Sequence, residues 1–226
     1  MKKYVVIVAA GAGKRFKQNI PKQFELLLGK PMLMYAIEAF YQAEPGIQVV
    51  VVIRDVFQNH WKSLCKSHNF HIPHQMAEGG PERFHSVKNG LSLTSDDALI
   101  AIHDGARPLV SRQLISNAFR MAERFGAVVP VIEVSNSVRM VSGSQHKPAD
   151  RRNLRLVQTP QVFKGSILKK AYMQHYDVNF TDDATVVEAM GEKVVLIEGS
   201  IENIKITRPP DLIIARALLE SRMLNT

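Results

Sequence analysis

The stretch Tyr4-Val5-Val6-Ile7-Val8-Ala9-Ala10-Gly11-Ala12-Gly13-Lys14-Arg15, with Pro21-Lys22-Gln23 close behind, decides how the rest of the chain is read. Residues 4–8 form a continuous apolar run rich in β-branched side chains. That is the pattern of a strand buried on both faces, as in a parallel sheet. The run stops at Ala9-Ala10-Gly11-Ala12-Gly13, where small side chains let successive backbone N–H groups approach a ligand and line an anion nest. Lys14, Arg15, Lys17 and Lys22 follow within one short segment. A glycine loop after a buried strand, with fixed cations behind it, suits a polyphosphate; its plainer reading is a tight strand-to-loop turn. It is not a P-loop, because Arg15 rather than Ser or Thr follows Lys14. It is not the dinucleotide fingerprint either, because Phe16 stands at the third glycine position.

Working outward, apolar β runs alternate with helix-like segments. Strands are predicted at residues 4–8, 48–53, 71–75, 99–103, 127–132 and 193–197. Helices are predicted at 31–42, 56–68, 82–93, 112–124, 165–175, 182–190 and 210–223. This alternation predicts an α/β fold, Rossmann-like, with a mostly parallel sheet and helices on both faces. Such sheets bind ligands at the carboxyl ends of their strands. The glycine loop, Gly79-Gly80 and Asp104 all follow strands and so converge on one site. Residues 133–156 break the alternation, with β-like pieces at 137–141 and 154–157 around a polar stretch. They read as a hairpin arm projecting from the sheet, of the kind that serves dimerisation, or as a surface insertion. No linker divides the chain, so residues 1–226 read as one domain.

The 226 residues suffice for such a domain, and a hydrophobic fraction of 46% is ordinary for a globular protein. The single cysteine, Cys65, excludes an internal disulfide framework and fits a reducing, cytoplasmic compartment. No stretch approaches a membrane span, and the basic, apolar start is too short and too closely followed by the glycine loop to be a signal peptide. The formal charge of +8 is scattered, without a basic tail or an aromatic–basic motif. It therefore suits anionic small substrates better than nucleic acid.

Further blocks carry chemistry. Gly79-Gly80-Pro81-Glu82-Arg83-Phe84-His85-Ser86-Val87 opens a helix after a glycine turn. His103-Asp104-Gly105-Ala106-Arg107-Pro108 sets a carboxylate at a strand end, where it can meet a hydrated cation or a ribose hydroxyl, or simply make a turn. In Phe180-Thr181-Asp182-Asp183, Thr181 reads as an N-cap, and the helix start is also an anion site. The two Asp residues point in different directions, which argues against a shared metal. Lys205, inside the apolar run Asn203-Ile204-Lys205-Ile206, needs an anion beside it if it is buried.

Taken together, Ala-Ala-Gly-x-Gly-x-Arg with Pro-Lys-Gln resembles the signature loop of the cytidylyltransferases that act on polyol phosphates. The likeness is closest to the branch acting on 2-C-methyl-D-erythritol 4-phosphate in the non-mevalonate isoprenoid pathway. The alternative is the ribitol 5-phosphate branch. The remaining blocks match the family in order along nearly the whole chain. The resemblance implies a nucleotide-diphospho-sugar transferase-like fold, CTP as co-substrate, a magnesium ion and a homodimer joined through the arm.

It also implies the following roles. Ala9, Ala10, Gly11, Ala12 and Gly13 cradle the nucleotide, with Asp104 and Gly105 beside them. Gly80 and Ser86 contact cytosine, and Arg83 supports that loop. Asp104 positions magnesium. Arg15 and Lys22 stabilise the transition state. Arg151 and Lys205 hold the attacking phosphate. Arg107, Ser137 and Thr181 lie on the acceptor side. His103 is structural, because an ionised phosphate oxygen needs no base. The chain departs from the family at Gly105, where Ala is usual, and at Asn136-Ser137-Val138-Arg139, where Asp-Thr-x-Lys is usual.

Overall fold

A computed structural model describes residues 1–11 and 21–224. The chain opens with β1 (Lys2–Val8), then a short 3-10 turn at Lys22–Phe24 and a small hairpin of β2 (Leu26–Leu27) and β3 (Lys30–Pro31). Next come α1 (Met32–Ala43), β4 (Gln48–Ile53), α2 (Asp55–Ser67), β5 (Gln75–Glu78), α3 (Arg83–Leu91), β6 (Ala98–Asp104), α4 (Arg112–Phe125) and β7 (Ala127–Glu133). The arm contributes β8 (Val138–Ser142) and β9 (Gln145–Ala149). The chain returns through β10 (Arg155–Val157) and β11 (Gln161–Lys164), and closes with α5 (Gly165–Ala171), α6 (Asp183–Glu188), β12 (Val195–Glu198) and α7 (Pro209–Leu224).

The main sheet runs in the order β10-β7-β11-β6-β1-β4-β5, with β12 also on β7. β1 is central and pairs in parallel with both β4 and β6, as its two-sided apolar run requires. Alternate residues serve opposite cores. Val5, Ile7, Val49, Val51 and Ile53 face the layer of α1, α2 and α4. Val6, Val50, Val52, Ile100 and Ile102 face the layer of α3, α5 and α6. Helices therefore cover both faces, as the alternation predicts.

The sheet is mostly parallel, as the sequence predicts, and mixed toward one end. β11 lies antiparallel between β6 and β7, and β10 antiparallel on β7. β11 escapes a pattern reading because its apolar content is only Val162-Phe163, although both are fully buried. The third strand also moves, from the predicted 71–75 to Gln75–Glu78, with Val50 opposite Gln75. Pro73 has no N–H to give a ladder. His74 turns aside, accepting a hydrogen bond from Trp61 Nε1 (2.9 Å) and bonding Ile72 O (2.8 Å).

The arm is a two-stranded hairpin, β8 against β9, turned at Gly143 with φ +59°. Its second strand forms from the polar stretch because both faces of the hairpin are exposed and need no apolar alternation. Among the described residues no helix is long and apolar enough to cross a membrane.

Candidate active site

The carboxyl ends of β1, β4, β5 and β6 surround a cavity of about 620 Å³, within the range of small-molecule sites. After β1, Ala9 N donates to Val52 O (2.8 Å), which holds the start of the glycine loop on the sheet. Gln23, almost fully buried, donates from Nε2 to Ala9 O and, at 3.5 Å, to Gly11 O. Ala9, Ala10 and Gly11 thus line the cavity with their backbone. Ala12, Gly13 and Arg15 lie outside the described residues.

On the far side, Gly80 N donates to Ser86 Oγ (3.0 Å), which ties the glycine turn to the first turn of α3. A Cβ on Gly80 would come within 2.3 Å of His85 Cβ, so only glycine fits this close approach. Gly80 and Ser86 both line the cavity. Arg83 opens α3, and its guanidinium forks onto Asp183, with Nη1–Oδ1 at 2.9 Å and Nη2–Oδ2 at 2.7 Å. Asp183 is fully buried and also accepts from Tyr172 Oη (2.6 Å). Burial would lower the Arg83 pKa, but Asp183 and Asp104 outweigh it and keep the guanidinium charged. Burial and the neighbouring Asp183 push the Tyr172 phenol up, so it stays a donor.

Asp104 ends β6 and faces three cations. Lys205 Nζ lies 2.8 Å from Oδ2, and the Nε atoms of Arg83 and Arg107 each lie 3.6 Å from a carboxylate oxygen. Burial alone would raise its pKa; Arg83, Lys205 and Arg107 reverse that and hold the carboxyl well below the usual range. A fixed hydrogen-bond chain orients it. His103 is buried and pushed down to about 4 by desolvation, so it is neutral. Its Nε2 faces the Arg107 carbonyl (3.1 Å), which only accepts, so Nε2 carries the proton. Nδ1 then accepts from Thr159 Oγ1 (3.1 Å), and Thr159 Oγ1 accepts from Asp104 N (3.1 Å). His103 is structural, as the sequence reading expects. Gly105 is buried next to it and donates from N to Val8 O (3.0 Å). A Cβ there would lie 3.2 Å from Ala9 Cβ, so glycine lets the turns after β1 and β6 close together.

Lys22 lines the cavity and donates from Nζ to Ile206 O (2.6 Å). Lys205 corrects an expectation. Residues 203–207 belong to no strand; Asn203 N donates to Ser200 O (3.0 Å) and Ile206 N to Ala106 O (2.8 Å). Ile204 and Ile206 pack with Leu27, Met32 and Ala215, which turns Lys205 the other way, into the cavity. Lys205 is exposed, and its anion here is Asp104. Arg107, expected on the acceptor phosphate, is buried beside Asp104 and donates to Asn203 O (2.7 Å) and Val157 O (3.4 Å).

Of the residues expected on the acceptor side, Lys205 lines this cavity and Arg107, Ser137, Arg151 and Thr181 do not. Ser137 and Arg151 sit on the arm and its return, and Arg151 donates from Nη1 to Ser135 O at the border of a second cavity. Thr181 is exposed and is not the N-cap. Asp182 takes that place, accepting from Thr185 N (2.9 Å) while Thr185 Oγ1 accepts from Asp182 N (3.3 Å). The reading that Asp182 and Asp183 diverge holds, since one caps α6 and the other grips Arg83. Sequence reasoning missed Arg54 and Thr207 on the cavity wall, and the Arg83–Asp183–Tyr172 cluster. Arg54 had one signal, a cation immediately after a buried strand.

Among the described residues no group of three or more His, Cys, Asp or Glu could hold a metal by itself. Magnesium does not require one, because it keeps several waters and binds through one or two carboxylates plus substrate phosphates. Asp104, ionised and on the cavity wall, fits an ion of that kind.

The family model for 2-C-methyl-D-erythritol 4-phosphate cytidylyltransferase matches residues 3–221. The chain belongs to that family. Relatives bearing the family name include a Phocaeicola vulgatus protein, 47% identical over 97% of this chain and 100% of the relative. A Bacteroides fragilis relative is 48% identical over 95% of this chain and 98% of its own. The crystal structure of the Thermus thermophilus enzyme superposes with a TM-score of 0.76 at 32% identity, covering 96% and 98% of the two chains. That of the Francisella tularensis enzyme gives 0.80 at 30% identity, covering 96% and 99%. These likenesses favour the methylerythritol phosphate branch over the ribitol phosphate alternative. They also establish the cytidylyltransferase fold for the mixed sheet described above.

Proposed function

We propose that the chain transfers CMP from CTP to 2-C-methyl-D-erythritol 4-phosphate, releasing pyrophosphate. A phosphate oxygen of the acceptor attacks the α-phosphorus in line, and the bond from that phosphorus to the oxygen bridging to the β-phosphate breaks. The attacking oxygen is already ionised, so no side chain has to remove a proton. Positioning and fixed positive charge carry the rate. The observation that supports this reading most directly is the cavity itself. A glycine-lined floor, a carboxylate ringed by cations and a serine-pinned glycine turn stand on its walls.

In this reading the backbone of Ala9 to Gly13 cradles the phosphates. Gly80 and Ser86 form a narrow slot for cytosine, and Arg83, held by Asp183, keeps that slot in place. Lys22 and Arg15 stabilise charge on the leaving pyrophosphate and the transferring phosphorus. Lys205, now paired with Asp104, turns to the acceptor phosphate when the substrates fill the cavity. Asp104 would hold a magnesium ion, which when bound supplies charge neutralisation for the triphosphate. Arg107 acts through Asp104, holding its orientation from the protein side.

Residues 1–226 then form one catalytic domain, and the arm at about 133–156 joins two copies. The arm supports a dimer because it exposes Met140, Val141 and Leu156, apolar side chains that gain from burial. Ser137, Arg151 and Thr181 serve the acceptor side of the assembled dimer. A cytoplasmic location follows from the single cysteine and from the substrates. The direct test is pyrophosphate release from CTP and magnesium, with methylerythritol phosphate and ribitol 5-phosphate offered separately. Release with the first alone is expected. Release with ribitol phosphate alone would move the acceptor assignment to the other branch.

A further inference from the structure

We propose that Arg54 is a further nucleotide-binding residue, acting on the pyrimidine–ribose half of CTP; this rests on the cavity being the nucleotide site. Arg54 directly follows the last residue of β4, so the strand delivers it to the same rim as Gly11, Gly79 and Asp104. β4 lies between β1 and β5, whereas β6, which carries Asp104, lies on the other side of β1. Arg54 therefore stands between the glycine loop and the Gly79-Gly80 turn, away from the phosphate-side carboxylate. Its stem is fixed against that turn. A Cβ built on Gly79 would come within 3.4 Å of Arg54 Cγ and 2.3 Å of Ala10 Cβ, so the two side chains flank the turn closely.

The side chain is exposed and lines the cavity. The neighbouring cations are engaged: Arg83 with Asp183, Lys205 with Asp104, and Lys22 with Ile206 O. The Arg54 guanidinium has no hydrogen bond or ion pair with another described residue. A guanidinium anchored at the base turn, with its donors unpaired among the described residues, fits a ligand group that offers acceptors in one plane. Cytosine presents N3 and O2 side by side, and the ribose adds hydroxyls; a planar fork meets such a pair where an ammonium would not. The phosphates belong along the glycine loop on the side of Lys22, Lys205 and Asp104, and the base belongs at the Gly79-Gly80 turn that Arg54 flanks.

Titration calorimetry of CTP and of CMP against the full chain, wild type and Arg54→Ala, tests the assignment. The expected result is that the variant loses about tenfold in affinity for both nucleotides by the same factor, the size of one charged hydrogen bond. Turnover at saturating CTP and the KM for the acceptor stay near wild type. Weaker CTP binding with unchanged CMP binding would put Arg54 on the β- and γ-phosphates and overturn the proposal. Unchanged binding of both would overturn it as well. A wild-type chain that bound no CTP would overturn the nucleotide site itself, and the role of Arg54 with it. Arg54 is exposed, so the variant is expected to keep the wild-type melting temperature, which the same samples check.

Discussion

Arg83 shows what a single residue does in this site. Its guanidinium sits between two carboxylates, close to Asp183 and farther from Asp104. Asp183 neutralises Arg83, which leaves the Asp104 carboxylate for Lys205 and for a ligand-borne cation. Asp183→Asn removes the buried partner and strands the arginine. The expected cost is about 3 kcal/mol, the lower end for a broken buried pair, because the Arg83 side chain is 29% exposed and water takes up part of the charge. Urea denaturation at pH 7 measures it. His103 gives a pH-dependent prediction. Its folded-state pKa lies below its ordinary value, so the unfolded chain binds the proton first as pH falls. The stability contributed by the neutral form is fully present above pH 6.5 and is lost toward pH 4, by about 3 kcal/mol. Asp104, also depressed, adds a loss in the same direction at lower pH. Urea midpoints across pH 4 to 7 should slope less steeply in a His103→Gln variant, which cannot titrate. In catalysis, Lys22→Ala should lower turnover by about two to three orders of magnitude, as loss of a preorganised charge at a developing anion does. Steady-state pyrophosphate release checks it.

The elements divide the work. β1, β4 and β6 are strands buried on both faces, and the turns at the carboxyl ends of β1, β4, β5 and β6 form much of the cavity wall, which Lys22, Gln23, Lys205 and Thr207 complete. The turn before α3 is the most tightly specified. Gly80→Ala would drive a Cβ into His85, so the Gly79-Gly80 turn must shift. The KM for CTP should rise about tenfold, the equivalent of one lost hydrogen bond, with the acceptor KM unaffected. The arm is the opposite kind of element. Among the described residues β8 and β9 pair only with each other, and most of their side chains are exposed in the single chain. Replacing residues 139–149 by a short glycine–serine turn should give a folded monomer by sedimentation equilibrium, with activity lost. A fully active dimer would remove the arm from both roles.

At the scale of the molecule, a charge of +8 meets two anionic substrates. Steering of this kind acts on encounter, so kcat/KM for CTP should fall with ionic strength while kcat changes little. Stopped-flow binding and steady-state rates between low and physiological salt test it.

Much of this protein was legible locally. A run with no polar position, 4–8, requires helices on both sides of its sheet, and the structure puts them there. The small residues after the first strand marked one wall of the cavity, and Lys22, Gly80, Ser86, Asp104 and Lys205, each singled out from the sequence or the resemblance, line it too. Periodicity tells which side of an element is buried, because that depends on the residues of the element alone. It does not tell what lies across the gap. That Arg83 grips Asp183, 100 residues on, and that Lys22 reaches Ile206, 184 residues on, depends on strand order and on helices packing across the sheet. The central place of β11 with only two apolar residues, the exposure of Lys205 and the position of Arg54 beside the Gly79-Gly80 turn are of the same kind. The sequence by itself determined the layers, the glycine loop and the chemistry of the side chains at the strand ends. The tertiary structure decided which charges meet, because Coulomb and hydrogen-bond partners are chosen by distance in space and carry no signature in local pattern.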